Sequence, residues 1–212
     1  MSDHDGRNAA VLQADTELAA KIVAGIAELE QNYRLAQGPL SDRFMMEVQS
    51  SMRDAAPEAW EVVPHDWTII LREPSWRPMR GLGNGDMWLQ ISEVSETEAE
   101  RTWLGVAVCA DGNTKLGLEL LFRNALKGPA AVVTTEKTHA ERLKRIGFRK
   151  DEEGGRLFAP IAIDKMRLSK GFSENDLSEA LMPVREVVAT VCAAKLDLDA
   201  LIEAVKSKAK GK

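Results

Sequence analysis

Apolar residues early in the chain recur three and four apart, at Leu18, Ile22, Ile26, Leu29 and Tyr33. That spacing predicts an amphipathic helix within the first 36 residues, ended by Gly38-Pro39. Ser41 or Asp42 is placed to cap a second helix, whose Phe44, Met45, Val48 and Met52 fall on one face and which stops before Pro57. Met45, Met46 and Met52 resemble an adaptable binding surface, but their helical spacing reads better as core filling.

From Trp67 the period shortens. Short runs rich in β-branched and aromatic residues, bounded by Pro, Gly and charged turns, predict strands at Thr68–Arg72, Met87–Val94 and Thr102–Cys109, joined as an antiparallel meander. The acidic stretch Ser95–Glu100 suits a loop between the second and third of these, and Asn84-Gly85 reads as a hairpin turn. Asp111-Gly112-Asn113 is then a turn. Leu116–Leu126 is expected to form a helix closed by Lys127-Gly128-Pro129, followed by a short buried strand at Ala130–Thr135. A charged helix at Thr138–Ile146 ends on Gly147, and Arg156–Ile163 reads as another strand after the Gly154-Gly155 turn. Beyond Gly171, with Ser173 as N-cap, the chain is expected to be helical. Leu177, Leu181, Val184, Val188 and Val191 form its apolar stripe, Pro183 kinks it or starts a new helix, and Leu198, Leu201, Ile202 and Val205 face inward in a last segment introduced by Asp197 or Asp199.

These elements predict an α+β fold in one domain over residues 1–212. Its parts are a helical N-terminal region (1–60), a core holding a mainly antiparallel sheet of about five strands with crossing helices (66–163), and a C-terminal helical layer (172–208). With 44% hydrophobic and 29% charged residues, the composition is that of a folding chain rather than a disordered one. The longest apolar runs fall far short of the roughly 20 residues that span a bilayer, and the polar, acidic N-terminus lacks the features of a secretory signal. A cytoplasmic location is therefore expected. Cys109 and Cys192 belong to no thiol pair and are expected to be reduced core residues. A net charge of −5 argues against general nucleic-acid binding, and the basic tail Lys206, Lys208, Lys210 and Lys212 reads as a solubilising terminus.

Candidate chemistry is sparse. Three histidines, His4, His65 and His139, show no metal-ligand spacing, so no metal site is expected, and no nucleophile elbow occurs. His139 beside Glu136 and Glu141 reads as a solvated surface residue more readily than as a general base. Arg72, Trp76, Arg77, Arg80 and Trp88 form the most suggestive group. Arginine offers a planar fork for phosphate or carboxylate and tryptophan a stacking face, while the alternative is that the tryptophans pack the sheet and the arginines point to water. The glycines of Gly81-Leu82-Gly83-Asn84-Gly85 precede a strand instead of opening a helix, which is the wrong context for a phosphate loop.

The segment Thr138-His139-Ala140-Glu141-Arg142-Leu143-Lys144-Arg145-Ile146-Gly147-Phe148, preceded by Val132-Val133-Thr134-Thr135, resembles the late strand, helix and Gly-Phe junction of GNAT-type acyltransferases. The resemblance implies acetyl-coenzyme A as cofactor, with Lys115 and Gly117 near its pyrophosphate, and a splayed parallel strand pair around Val106 and Val132. The chain departs from the family pattern in its glycine loop, where Gly112 and Gly117 are misspaced and the leading Gln/Arg is missing. Gly147-Phe148 reads equally as a helix cap with its apolar contact. The expected function is that of a non-catalytic binding or regulatory protein without a cofactor, taking a protein partner or a small anionic ligand through the Trp/Arg face. A divergent acyl-coenzyme A transferase is the alternative, and a homodimer formed through an apolar helix face is a third reading.

Overall fold

The computed structural model describes residues 16–65, 68–77, 85–95, 102–108, 114–151 and 155–211. The fold is α+β, with helices and one six-stranded sheet where about five strands were expected. The chain divides into two compact units, Met1–Asp42 and Arg43–Lys212. No helix among the described residues is long and apolar enough to cross a membrane.

In the first unit, helix α1 (16–24) is followed by α2 (Ile26–Leu35) and a π-helical turn, Ala36–Leu40. Gly38-Pro39 does not end the helical path, as the pattern had suggested. Pro39 has no N–H to give to the preceding turn, and the helix accommodates it by widening. The Ser41 hydroxyl donates to the Ala36 carbonyl at 2.6 Å, so that carbonyl keeps a partner and the chain runs on into α3 (Ser41–Ala55).

The second unit is built on β1 (Glu61–His65), β2 (Thr68–Arg72), β3 (Met87–Ser95), β4 (Thr114–Phe122), β5 (Arg149–Lys150) and β6 (Leu157–Ile161). Their order is β1-β2-β3-β4-β6-β5, and every neighbouring pair is antiparallel. Leu89 opposes Leu120, Ile91 opposes Leu118, and Leu118 opposes Ala159. Opposed residues in antiparallel strands share a face, so these side chains form one continuous apolar layer, and all of them are buried. Phe44, Val48 and Met52, four apart along α3, join the same core.

The remaining helices are α4 (Trp103–Val108), α5 (Asn124–Val133), α6 (Lys137–Ile146), α7 (Lys165–Glu174), α8 (Met182–Ala193) and α9 (Lys195–Lys210). The last two behave as expected: Pro183 lies in the first turn of α8, and Leu198, Leu201, Ile202 and Val205 of α9 are buried.

Four expectations are corrected. Residues 103–108 form a helix, not a strand, because Thr102 acts as an N-cap whose hydroxyl accepts from the Gly105 N–H at 3.0 Å. Residues 114–122 form the central strand β4, not a helix. Leu116, Leu118, Leu120 and Phe122 alternate with Gly117, Glu119 and Leu121, a period of two that the high leucine content disguises. Ala130–Thr135 is not a strand, since 130–133 complete α5, which runs through Gly128-Pro129. The helix survives its proline because Leu126, Pro129, Ala130 and Val133 form a buried face, and burial of a large apolar side chain is worth about 1.5–3 kcal/mol against a proline penalty of about 3 kcal/mol. Finally, Ser173 is no N-cap; Asp164 caps α7, accepting from the Arg167 N–H at 2.8 Å. Strands β1 and β5 were not foreseen. The expected loops and turns at residues 81–84, 96–100 and 111–113, with Trp67 and Cys109, lie outside the described residues.

Candidate ligand-binding site

The Trp/Arg group is only partly assembled. Leu71 opposes Leu89, so alternation carries Arg72 and Trp88 together onto the face of the sheet away from that apolar layer. There the Arg72 Nε donates to Glu61 Oε2 at 2.6 Å, and Arg77 donates to the same oxygen, so two guanidinium groups already share one carboxylate. The Trp88 indole N–H is buried without an acceptor among the described residues. Trp76 points the other way and is 1% exposed, with its ring edge-on to Trp60 at 5.1 Å. Its N–H donates to Asp199 Oδ1 at 2.8 Å, which pins the 3-10 turn Pro74–Trp76 to α9. Asp199 also accepts from Lys195 at 2.6 Å, and this hydrogen bond raises the Lys195 ammonium above its ordinary range. Trp76 therefore belongs to the buried core, with its indole donor already used. Arg80 lies outside the described residues.

A cavity of about 550 Å³ opens elsewhere, where α6 runs into β5 and faces β6. Ala140, Leu143, Phe148 and Leu157 form its apolar wall, Thr134 and Gly147 contribute to its lining, and Lys144, Arg149 and Lys150 stand around it. Its volume lies in the range of small-molecule sites. A second cavity of about 340 Å³ shares Thr134 and Leu157 with the first and continues along β4, past Lys127 and the Glu119–Arg156 pair.

Local sequence explains how the wall is held. Gly147 adopts φ +102°, which a side chain would strain. Its N–H donates to the Lys144 carbonyl at 3.1 Å, and the Phe148 N–H donates to the Leu143 carbonyl at 2.9 Å. This is a Schellman cap, with the accompanying apolar pair Leu143 and Phe148 buried side by side in the cavity wall. Arg149 and Lys150 then leave the cap as the edge strand β5, opposite Phe158 and Leu157 of β6.

Among the described residues the charge lining the first cavity is mainly positive. Lys127, Lys144, Arg149 and Lys150 make no ion pair with any described residue. Among the described residues there, Glu119 accepts from the Nε and Nη2 of Arg156 at 2.8 and 2.7 Å, and Asp151 accepts from the Arg156 backbone N–H at 2.9 Å. The Glu119 hydrogen bonds raise the Arg156 guanidinium above its usual value, so it stays cationic. The C-terminal end of α6 contributes roughly half a negative charge. Among the described residues, the three cations lining the first cavity outweigh it even with the charge of Asp151 counted.

The resemblance to acyltransferases does not extend to the fold. Val106 lies in α4 and Val132 in α5, so the splayed parallel strand pair is absent, and the sheet is antiparallel throughout. Gly117 is mid-strand in β4, between Ser92 and Pro160, and not in a loop. A Cβ there would stand 2.9 Å from the Phe158 ring and 3.1 Å from the Ala159 carbonyl, so close strand packing accounts for the glycine. Lys115 precedes it on the same strand. Among the described residues, no three His, Cys, Asp or Glu side chains converge as a metal site would require.

The cationic residues of the cavity were not singled out by motif. Their signal was the basic residues that flank Ile146-Gly147-Phe148, of which Lys144, Arg149 and Lys150 line the cavity. Comparison of the chain with protein-family models, with curated proteins and with solved structures finds no match.

Proposed function

We propose that this protein binds an amphipathic anion, a small carboxylate or similar acid with an apolar body, in the cavity between α6, β5 and β6. The observation that carries the reading is an apolar wall lined by cations that make no ion pair with any described residue. It keeps the anion-binding expectation but moves it from the Arg72/Trp88 face, where two arginines share Glu61, to a place where positive charge is left over.

Each exposed cation contributes about 1 kcal/mol toward an anion at 4 Å in water, and up to about 4 kcal/mol where the wall lowers the effective dielectric. Burying ~150 Å² of ligand against Leu143, Phe148 and Leu157 adds about 4 kcal/mol. After the cost of immobilising the ligand, affinity in the micromolar to millimolar range is expected.

Calorimetric titration with decanoate, decylamine and decanol tests this, because the three share a chain and differ in charge. Decanoate should bind best and lose affinity as salt is added. Ala140→Phe, which fills the cavity from the partly exposed side of α6, should abolish binding, and Lys144→Glu with Arg149→Glu should reverse the charge preference. Equal binding of all three ligands, or unchanged decanoate binding in Ala140→Phe, would refute the proposal.

A further inference from the structure

The first unit carries an apolar stripe that none of its described residues covers. Leu18, Ile22, Ile26, Leu29 and Tyr33 are each 43–57% exposed, and α2 has no buried residue. Hydrogen bonding continues through the break at Gly25, whose N–H donates to the Lys21 carbonyl and whose carbonyl accepts from the Leu29 N–H, both at 3.0 Å. Residues 16–35 thus form one rod about 30 Å long. A lone helix with a glycine at its middle is marginal in water, and helices of this kind take their stability from packing an apolar face.

The charges beside the stripe indicate what packs there. Lys21 and Glu28 are two turns apart and fall on the same flank. The opposite flank holds Glu30 and Arg34, which are already paired with each other at 3.3 Å. When two copies of a helix pair antiparallel, each flank meets the same flank of the other copy running in reverse. Lys21 then faces Glu28 of the second copy, and Glu28 faces its Lys21. In a parallel pair each flank meets the opposite one, which brings Glu28 near Glu30 of the second copy and leaves Lys21 without an acid. The apolar stripe is self-complementary in the same antiparallel sense, with Ile22 facing Leu29 and Leu18 facing Tyr33. Both patterns centre on Gly25. A Cβ at that position would find only the Lys21 carbonyl of its own helix, at 3.4 Å, so the helix itself does not require glycine there. A missing side chain at the crossing point lets two backbones approach closely.

We infer that the helix of residues 16–35 is a homodimerisation element, pairing antiparallel with a second copy about a two-fold axis near Gly25. The contact is isologous: each residue that meets a different residue of the second copy does so twice.

Sedimentation equilibrium and light scattering of the full chain over a range of concentrations provide the test. The wild-type protein should be a dimer. Ile22→Glu with Leu29→Glu should be monomeric while keeping the melting temperature of the second unit, since both side chains are exposed in the single chain. Lys21→Glu alone and Glu28→Lys alone should each weaken dimerisation about tenfold or more, and the combined swap should return it to within about threefold of wild type. Restoration by the double swap separates antiparallel pairing from mere hydrophobic association. A wild-type protein that stays monomeric at the highest concentration would overturn the inference, as would a dimer indifferent to the single charge changes or a double swap no better than either single one.

Discussion

Arg156→Met is the most informative single perturbation of the second unit, because it isolates the energetics of a charge set into the central strand. Glu119 of β4 has a side chain only 7% exposed, and both of its oxygens accept hydrogen bonds from Arg156, whose own side chain is 36% exposed. Removing the guanidinium leaves a carboxylate in a sheet wall with no counter-charge. For a fully buried pair the loss is about 3–5 kcal/mol. Arg156 borders a cavity open to solvent, so water enters on truncation and the expected loss falls to about 2–3 kcal/mol. Solvent screening discounts the favourable pair in the same way, so Glu119→Gln/Arg156→Met together should cost less than Arg156→Met alone. Urea unfolding of wild type, both single variants and the double variant at pH 7 measures all four corners of the cycle. If Arg156→Met costs under about 0.5 kcal/mol, the carboxylate is solvated and the argument from burial fails.

Three further expectations follow from particular contacts. Trp76→Phe removes the indole donor to Asp199 and part of the edge-on contact with Trp60, so a loss of about 2–3 kcal/mol is expected in thermal or urea unfolding; a change below about 0.5 kcal/mol would show that the turn is not pinned to α9 through this bond. Gly147→Ala forces a side chain into φ +102° and should cost about 1–2 kcal/mol, with decanoate affinity falling as the cavity wall shifts; an unchanged melting temperature would contradict the strained cap. Burial pushes the Cys192 thiol up to about 12. The folded state therefore holds its proton where the unfolded state has lost it, and stability should fall with rising pH from about 8.5 toward 12, by at most about 1.4 kcal/mol per pH unit. In a Cys109→Ser background, alkaline urea unfolding and thiol-reagent kinetics check this; rapid labelling of the native protein at pH 8 would refute it.

Where side-chain period and local chemistry agreed, the sequence alone determined the outcome. The helix at 137–146 and its Gly147 stop, the strands at 68–72 and 87–95, and the inward face of α9 all follow from spacing, turn residues and caps within a few positions of each other. Composition and periodicity together sufficed for the α+β class. What failed did so where a local signal was outvoted by packing. Gly128-Pro129 reads as a stop, yet α5 passes through it because Leu126, Ala130 and Val133 gain more by burial than the proline costs. Leu116–Phe122 has leucine enough for a helix, yet it is held as a strand by β3 on one side and β6 on the other, partners far away in the chain.

The candidate sites divide along the same line. Arg72 and Trp88 lie on the adjoining strands β2 and β3, whereas Trp76 is buried in the core and gives its indole N–H to Asp199, 123 residues onward. The binding cavity was not legible because its wall is made by folding β6 and β5 against the end of α6. Only that closure brings Lys144, Arg149 and Lys150 around the buried Leu-Phe cap of one cavity. Helical faces and caps are short-range properties that residues a few positions apart decide. Cavities and leftover charge are properties of which distant surfaces meet, and only the tertiary structure decides those.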